Sequence, residues 1–185
     1  MEGTLDPGQS PILGPQQIEI SIKAVEKDSD GDGWTDIEEE RLGLNALMKD
    51  TDGDGLPDGA DVSPNAAIQS DPHDEETQIL QRALFAVYGL SGSRYLLLAG
   101  NSAKKVDIWG YKGPVIYGAD VKSWKGKNLL GGVFVSWRIR KRTAESAIVE
   151  ITDYEGPLAA GGQEVRLKKV SNEWFVYNRR TTWVS

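Results

Sequence analysis

Oxygen ligands recur at fixed spacing in two twelve-residue stretches, DSDGDGWTDIEE from Asp28 to Glu39 and DTDGDGLPDGAD from Asp50 to Asp61. Each puts Asp at positions 1, 3 and 5, Gly at 6, Asp at 9 and an acid at 12. A Ca²⁺ ion draws its shell from such a pattern: alternate carboxylates converge from a tight turn, a carbonyl at position 7 adds an oxygen, and the acid at 12 closes the site. The spacing therefore assigns Asp28, Asp30, Asp32 and Glu39, with the carbonyl of Trp34, to a first site. It assigns Asp50, Asp52, Asp54 and Asp61, with the carbonyl of Leu56, to a second. Asp36 and Asp58, at position 9, are expected to act through water. Asp61 is shorter than the usual Glu, so the second site is expected to be looser or to borrow another ligand. Acidic turns that only keep the chain soluble would explain the acids, but not the repeated Gly or the 22-residue phase. The chain has no Cys and one His, His73, so zinc and copper lack their preferred ligands. Mg²⁺ demands smaller octahedral geometry and keeps its waters. Asp71 and Asp74 offer a third position, in competition with capping the helix that follows.

The second loop and its exit, DTDGDGLPDGADVSPN from Asp50 to Asn65, resemble a thrombospondin type 3 repeat. Ser63 stands where animal members of that family carry Cys, so the chain is similar to the Cys-free type of bacterial extracytoplasmic proteins. The first loop also resembles an EF-hand, because IEEERLGL can form a short exiting helix with Ile37, Leu42 and Leu44 apolar. The resemblance spans residues 28 to about 65 and implies a calcium-stiffened spacer without catalytic activity. A dockerin carries duplicated calcium loops too, but each feeds a regular helix. Pro57 and Ser63-Pro64-Asn65 argue against a helix after the second loop.

Charge divides the chain. Residues 1–77 carry 20 acidic against 4 basic side chains and residues 78–185 carry 8 against 17, formal charges of −16 and +9. Such asymmetry predicts that the two parts dock on each other, or that the basic part meets another polyanion. The absence of Cys excludes disulfides and thiol chemistry without fixing the compartment. Calcium points to an extracytoplasmic one (secreted, periplasmic or cell surface), where millimolar calcium fills loops of this kind. No run reaches the length of a membrane span. Residues 1–17 are rich in Pro, Gly and polar side chains and lack the basic start and apolar stretch of a signal peptide. They read as a linker, and the chain as part of a longer exported protein.

The elements that must hold these loops follow from hydrophobic period. Gln17–Val25 alternates Ile18, Ile20 and Ile22 with polar neighbours, which predicts a half-buried strand. From Glu75 to Tyr88, Ile79, Leu80, Ala83, Leu84 and Val87 fall at helical spacing, and Gly89 ends the run. Tyr95–Gly100, Lys105–Tyr111 and Pro114–Gly118 are short apolar runs. Asp120–Lys127 is expected to make a helical turn or two around Trp124. Gly132–Arg142, Ser146–Tyr154, Gln163–Val170 and Glu173–Trp183 then read as an antiparallel meander. Matching faces across the first hairpin sets Ile139 against Val149, Trp137 against Ile151 and Arg138 against Glu150. The expected fold is α+β: residues 18–74 as strand plus tandem calcium repeats, and residues 75–185 as a helix packed on a curved antiparallel sheet. The ending NEWFVYNRRTTWVS weakly resembles nuclear-transport-factor-like and cystatin-like folds, which host many functions.

Arg138, Arg140 and Arg142 are expected on one strand face, with Arg166 and Lys168 beside them and Arg179 and Arg180 near. This is either an anion site or a solvated face with Arg138 paired to Glu150. Nucleic acid is disfavoured by the overall charge of −7. Trp109, Trp124, Trp137, Trp174 and Trp183 are expected in the core rather than in a carbohydrate groove. The sequence thus predicts a non-enzymatic calcium-binding module of an exported bacterial protein, in which Ca²⁺ folds the acidic repeats and positions a basic α+β domain. The alternative makes that domain a ligand-binding or enzymatic unit for an anion or glycan, with the repeats as spacer.

Overall fold

The computed structural model describes residues 22–68, 71, 73–89, 96–100, 103–119, 132–156 and 159–184. Among these residues are three α-helices, α1 (Ile22–Val25), α2 (Asp36–Leu42) and α3 (Glu75–Leu84), and six strands. The strands are β1 (Leu96–Gly100), β2 (Val115–Ala119), β3 (Gly132–Arg142), β4 (Ser146–Gly156), β5 (Ala159–Val170) and β6 (Glu173–Val184). They form one sheet in the order β2-β1-β3-β4-β5-β6, an α+β arrangement. The predicted linker over residues 1–17 and the helical turn at Asp120–Lys127 lie outside the described residues.

From β3 to β6 the sheet is the antiparallel meander expected. Ile139 pairs with Val149, Trp137 with Ile151 and Arg138 with Glu150. The rest differs: β1 runs parallel to both β2 and β3, so the sheet is mixed. The β1 segment Leu97-Leu98-Ala99 is buried on both faces, which suits a strand flanked by parallel neighbours. Leu97 and Ala99 join α3 residues Ile79, Leu80, Ala83 and Leu84 in the main core. Leu98 turns to the opposite face, where it meets Ile116 and Ala119.

Two segments expected as strands differ where they are described. Residues 17–21 of Gln17–Val25 lie outside the described residues, and residues 22–25 form a helical turn with Ile22 71% exposed rather than a half-buried strand. Lys105–Tyr111 is irregular, yet Val106, Ile108 and Tyr111 are buried in the core. Side chains satisfy part of its backbone instead of a neighbouring strand. The Tyr117 hydroxyl donates to the Val106 carbonyl at 2.7 Å and accepts from its N–H at 3.3 Å, and Trp137 Nε1 donates to the Lys104 carbonyl at 3.0 Å. The helix starts where expected, capped by Asp74, and passes into a π-helical turn at Phe85–Gly89. Gly89 is needed there for space: a Cβ would lie 2.4 Å from the Phe85 ring and from the Trp109 carbonyl.

The acidic repeats meet the sheet around its β2 edge. Leu42, at the end of α2, packs against the Leu98–Ile116 cluster on one face, while Val62, Ala66 and Ile68 join the main core on the other. Between them the chain covers the edge. The Val115 N–H donates to the Val62 carbonyl at 2.6 Å. Asn65 Nδ2 donates to the Tyr117 carbonyl at 2.8 Å, and the Tyr117 N–H donates to Asn65 Oδ1 at 2.9 Å. One side-chain amide thus replaces a neighbouring strand, which leaves less of the edge open to another chain.

Candidate metal centre

The two loops share one hydrogen-bond pattern. In the first, Asp28 accepts from the N–H groups of Gly31 (2.6 Å) and Gly33 (3.2 Å), Asp30 from Asp32 (3.1 Å) and Asp32 from Trp34 (2.8 Å). In the second, Asp50 accepts from Gly53 (2.7 Å) and Gly55 (2.8 Å), Asp52 from Asp54 (3.0 Å) and Asp54 from Leu56 (2.9 Å). Gly33 and Gly55, at position 6, have φ of +105° and +99°, a region that penalises any Cβ. These turns gather Asp28, Asp30 and Asp32 into one carboxylate group, and Asp50, Asp52 and Asp54 into another.

The position-9 acids brace the loops. Asp36 accepts from the N–H and hydroxyl of Ser29 and pairs with Lys27 at 2.6 Å, which holds its carboxyl below the usual range. Asp58 accepts from the N–H and hydroxyl of Thr51 at 2.8 and 2.6 Å. Their own N–H groups donate to the carbonyls of Lys27 (2.8 Å) and Lys49 (2.7 Å), the residue before each loop. The position-9 to position-2 contact was not read from the sequence, although Ser29 and Thr51 at matching positions carried the signal.

The loops diverge after position 9. The first leads into α2, capped by Thr35 in a capping box with Glu38 and ended by Gly43 in the left-handed conformation. The second makes only a 3₁₀ turn at Asp58–Ala60, as Pro57 and Pro64 predict. The position-12 acids differ accordingly. Glu39 is 0% exposed and neither carboxylate oxygen has a hydrogen-bond partner. Asp61 is half-buried, accepts from the Ser63 N–H at 2.8 Å, and is not part of the Asp50–Asp52–Asp54 group. It lines a cleft of about 290 Å³ together with Asp54, Ser63 and Asp107.

Glu39 is the anomaly of the site. Its oxygens group with those of Asp32 and Asp58, each ligand atom within 4.8 Å of the others, and Asp58 is 1% exposed. Unit charges about 5 Å apart repel by roughly 3 kcal/mol at an effective dielectric of about 20, so the cluster strongly disfavours three ionised carboxylates. Burial, followed by the charges of Asp30, Asp32 and Asp58, pushes the Glu39 carboxyl up to about 7. Burial likewise raises Asp30, Asp52 and Asp61. An oxygen of Asp30 and one of Asp52 are also buried without a partner. Buried acids lacking donors are what a hard, oxygen-seeking cation would satisfy.

The other candidates carry different roles. Asp74 caps α3 and pairs with Lys104, and Asp71 accepts from the His73 N–H at 2.8 Å. Arg138, Arg140, Arg166 and Arg180 pair with Glu150 and Glu164 across four strands, and Glu164 is 2% exposed. Arg142 does not share their face: the register shift between Ile139 and Lys141 turns it toward α3, where it pairs with Glu75. Lys168 lies 5.2 Å from the centre of the Tyr177 ring. Trp137 and Trp174 are core residues as expected, whereas Trp109 and Trp183 are exposed; Trp124 lies outside the described residues. Trp183 borders a mainly apolar cleft of about 310 Å³ with Leu98, Phe134 and Tyr154. No helix among the described residues is long and apolar enough to cross a membrane.

No family model, characterised protein or solved structure matches the chain.

Proposed function

We propose that residues 28–61 are a calcium-binding module of an exported bacterial protein, with two Ca²⁺ sites that stiffen the repeats and fix their position on the α+β domain. The role is binding and structural rather than catalytic. The observation that supports this best is Glu39, an acid sealed from solvent among other acids with no donor on either oxygen. Oxygen-only ligands favour Ca²⁺, and its millimolar concentration outside cells suits an extracytoplasmic chain. The first site takes Asp28, Asp30, Asp32, Glu39 and the Trp34 carbonyl; the second takes Asp50, Asp52, Asp54, Asp61 and the Leu56 carbonyl. Resemblance to thrombospondin type 3 and EF-hand loops points the same way. Calorimetric titration of chelator-treated protein with Ca²⁺ is expected to show at least two ions bound per chain. Fewer than one per chain would refute the reading.

A further inference from the structure

Asp58 belongs by sequence to the second loop, at a position where spacing predicts contact through water with that loop's own ion. In space its carboxylate joins Asp32 and Glu39 of the first loop. The contact is tight beyond the acids. The Gly59 N–H donates to Asp32 Oδ2 at 3.0 Å, and a Cβ on Gly59 would lie 2.5 Å from the Asp32 carbonyl oxygen. Lys49, just before the second loop, donates to the Gly31 carbonyl at 3.1 Å.

We infer that the first cation centre is composite, with Asp58 of the second loop completing the shell begun by Asp32 and Glu39. The inference rests on the reading of these loops as Ca²⁺ sites, and it changes what the second loop is for. Each Asp58 oxygen accepts one hydrogen bond from Thr51, which leaves each a further lone pair for a metal. Thr51 therefore aims the carboxylate, and Gly59 sets how closely the second loop approaches. Asp36, the matching acid of the first loop, is occupied by Lys27 and Ser29 and joins no such group. Among the described residues no acid of the first loop joins the Asp50–Asp52–Asp54 group, so the shared carboxylate runs from the second loop to the first.

Terbium, a luminescent ion that enters Ca²⁺ sites, can test this in the full chain. Trp34 at position 7 of the first loop can sensitise an ion bound there, whereas the second loop carries Leu56. Asp58→Asn is expected to weaken the Trp-sensitised terbium site by about tenfold or more, the scale seen when a group supporting a metal shell is removed. Thr51→Val, which removes the hydroxyl contact but keeps the carboxylate, should weaken it much less. Gly59→Ala, which forces the loops apart without altering a carboxylate, should weaken it too, and it stands in if Asp58→Asn does not fold. Unchanged terbium affinity in both Asp58→Asn and Gly59→Ala would overturn the composite centre. So would an equal loss in Thr51→Val and Asp58→Asn, because Asp58 would then be only a brace. A wild-type chain with no saturable Trp-sensitised signal would remove the calcium reading itself.

Discussion

Replacing Asn65 by Ala isolates the join between the repeats and the sheet. The substitution removes both hydrogen bonds to Tyr117, the 2.8 Å bond to its carbonyl and the 2.9 Å bond from its N–H. Tyr117 lies on edge strand β2, and its partner strand β1 is on the other side, so no backbone group replaces the amide. A buried polar group left unpaired costs about 1–3 kcal/mol. Asn65 is only half-buried and water can reach part of the gap, so the expected loss for the pair is about 2–3 kcal/mol. Urea unfolding in saturating calcium, followed by tryptophan fluorescence, measures it. Asn65→Asp separates the two bonds: it keeps an acceptor for the Tyr117 N–H but sets a carboxylate oxygen against the Tyr117 carbonyl. It should be at least as unstable as Asn65→Ala. A loss below about 0.5 kcal/mol in Asn65→Ala, the range of an ordinary surface substitution, would refute the reading of this side chain as the edge cover.

In chelator, limited proteolysis should cut within residues 28–61 and spare a fragment that begins upstream of Val62, because Val62, Ala66 and Ile68 pack in the main core; identical cleavage with and without calcium would count against it. Glu39 without metal holds its proton up to about pH 7, so calcium affinity should fall as pH drops below about 7 and loading near neutrality should release a proton. Calorimetry in buffers of different ionisation enthalpy detects that release, and Glu39→Gln should abolish it. The same shift has a stability sign: the folded carboxyl lies above its ordinary 4.5, so the calcium-free repeats should gain stability as pH falls from about 7 toward 4.5. Asp74 has the opposite sign. Lys104 first, then the Thr77 hydroxyl, hold its carboxyl at about 2 against an ordinary 3.8. Its contribution is full above about pH 4 and is lost as pH falls toward 2. Asp74→Asn should therefore flatten acid unfolding across that window, an effect tempered by the solvent exposure of the pair.

The two groups of three acids were legible because acidic spacing and Gly at the turn act within one loop, whereas the Thr35–Glu38 capping box was not read although its residues lie three apart. The hairpin register was legible for a similar reason. Only one pairing sets Trp137 on Ile151 and Arg138 on Glu150 together, and a slip of one residue would bury charge. The parallel placement of β1 was not legible, since LLLAG is buried on both faces and carries no alternation to show direction. Lys105–Tyr111 misled for another reason. Its alternation of Val106 and Ile108 reports core contact, but Tyr117 and Trp137 side chains do part of the hydrogen bonding a strand would do. Asp58 escaped because a twelve-residue pattern assigns every acid to its own loop. The contact with Asp32 crosses 26 residues and depends on the absence of a Cβ at Gly59.

Opposite charge alone does not explain how the acidic repeats are held. Among the described residues, ion pairs between the acidic and basic parts come from Asp74, Glu75 and Glu76 at the start of α3, not from the loops. The loops reach the sheet by apolar packing and backbone hydrogen bonds, and each anchor follows a position-12 acid closely. Glu39 precedes Leu42 by three residues within α2, and Leu42 sits on the Leu98–Ile116 face. Asp61 directly precedes Val62, whose carbonyl takes the Val115 N–H, and Asn65 lies four residues on. A cation that draws Glu39 and Asp61 inward would therefore set both anchors, one on each face of the sheet beside the β2 edge. Such a mechanism needs the repeat's shape, and salt that screens exposed charge over about 8–10 Å should leave it largely intact.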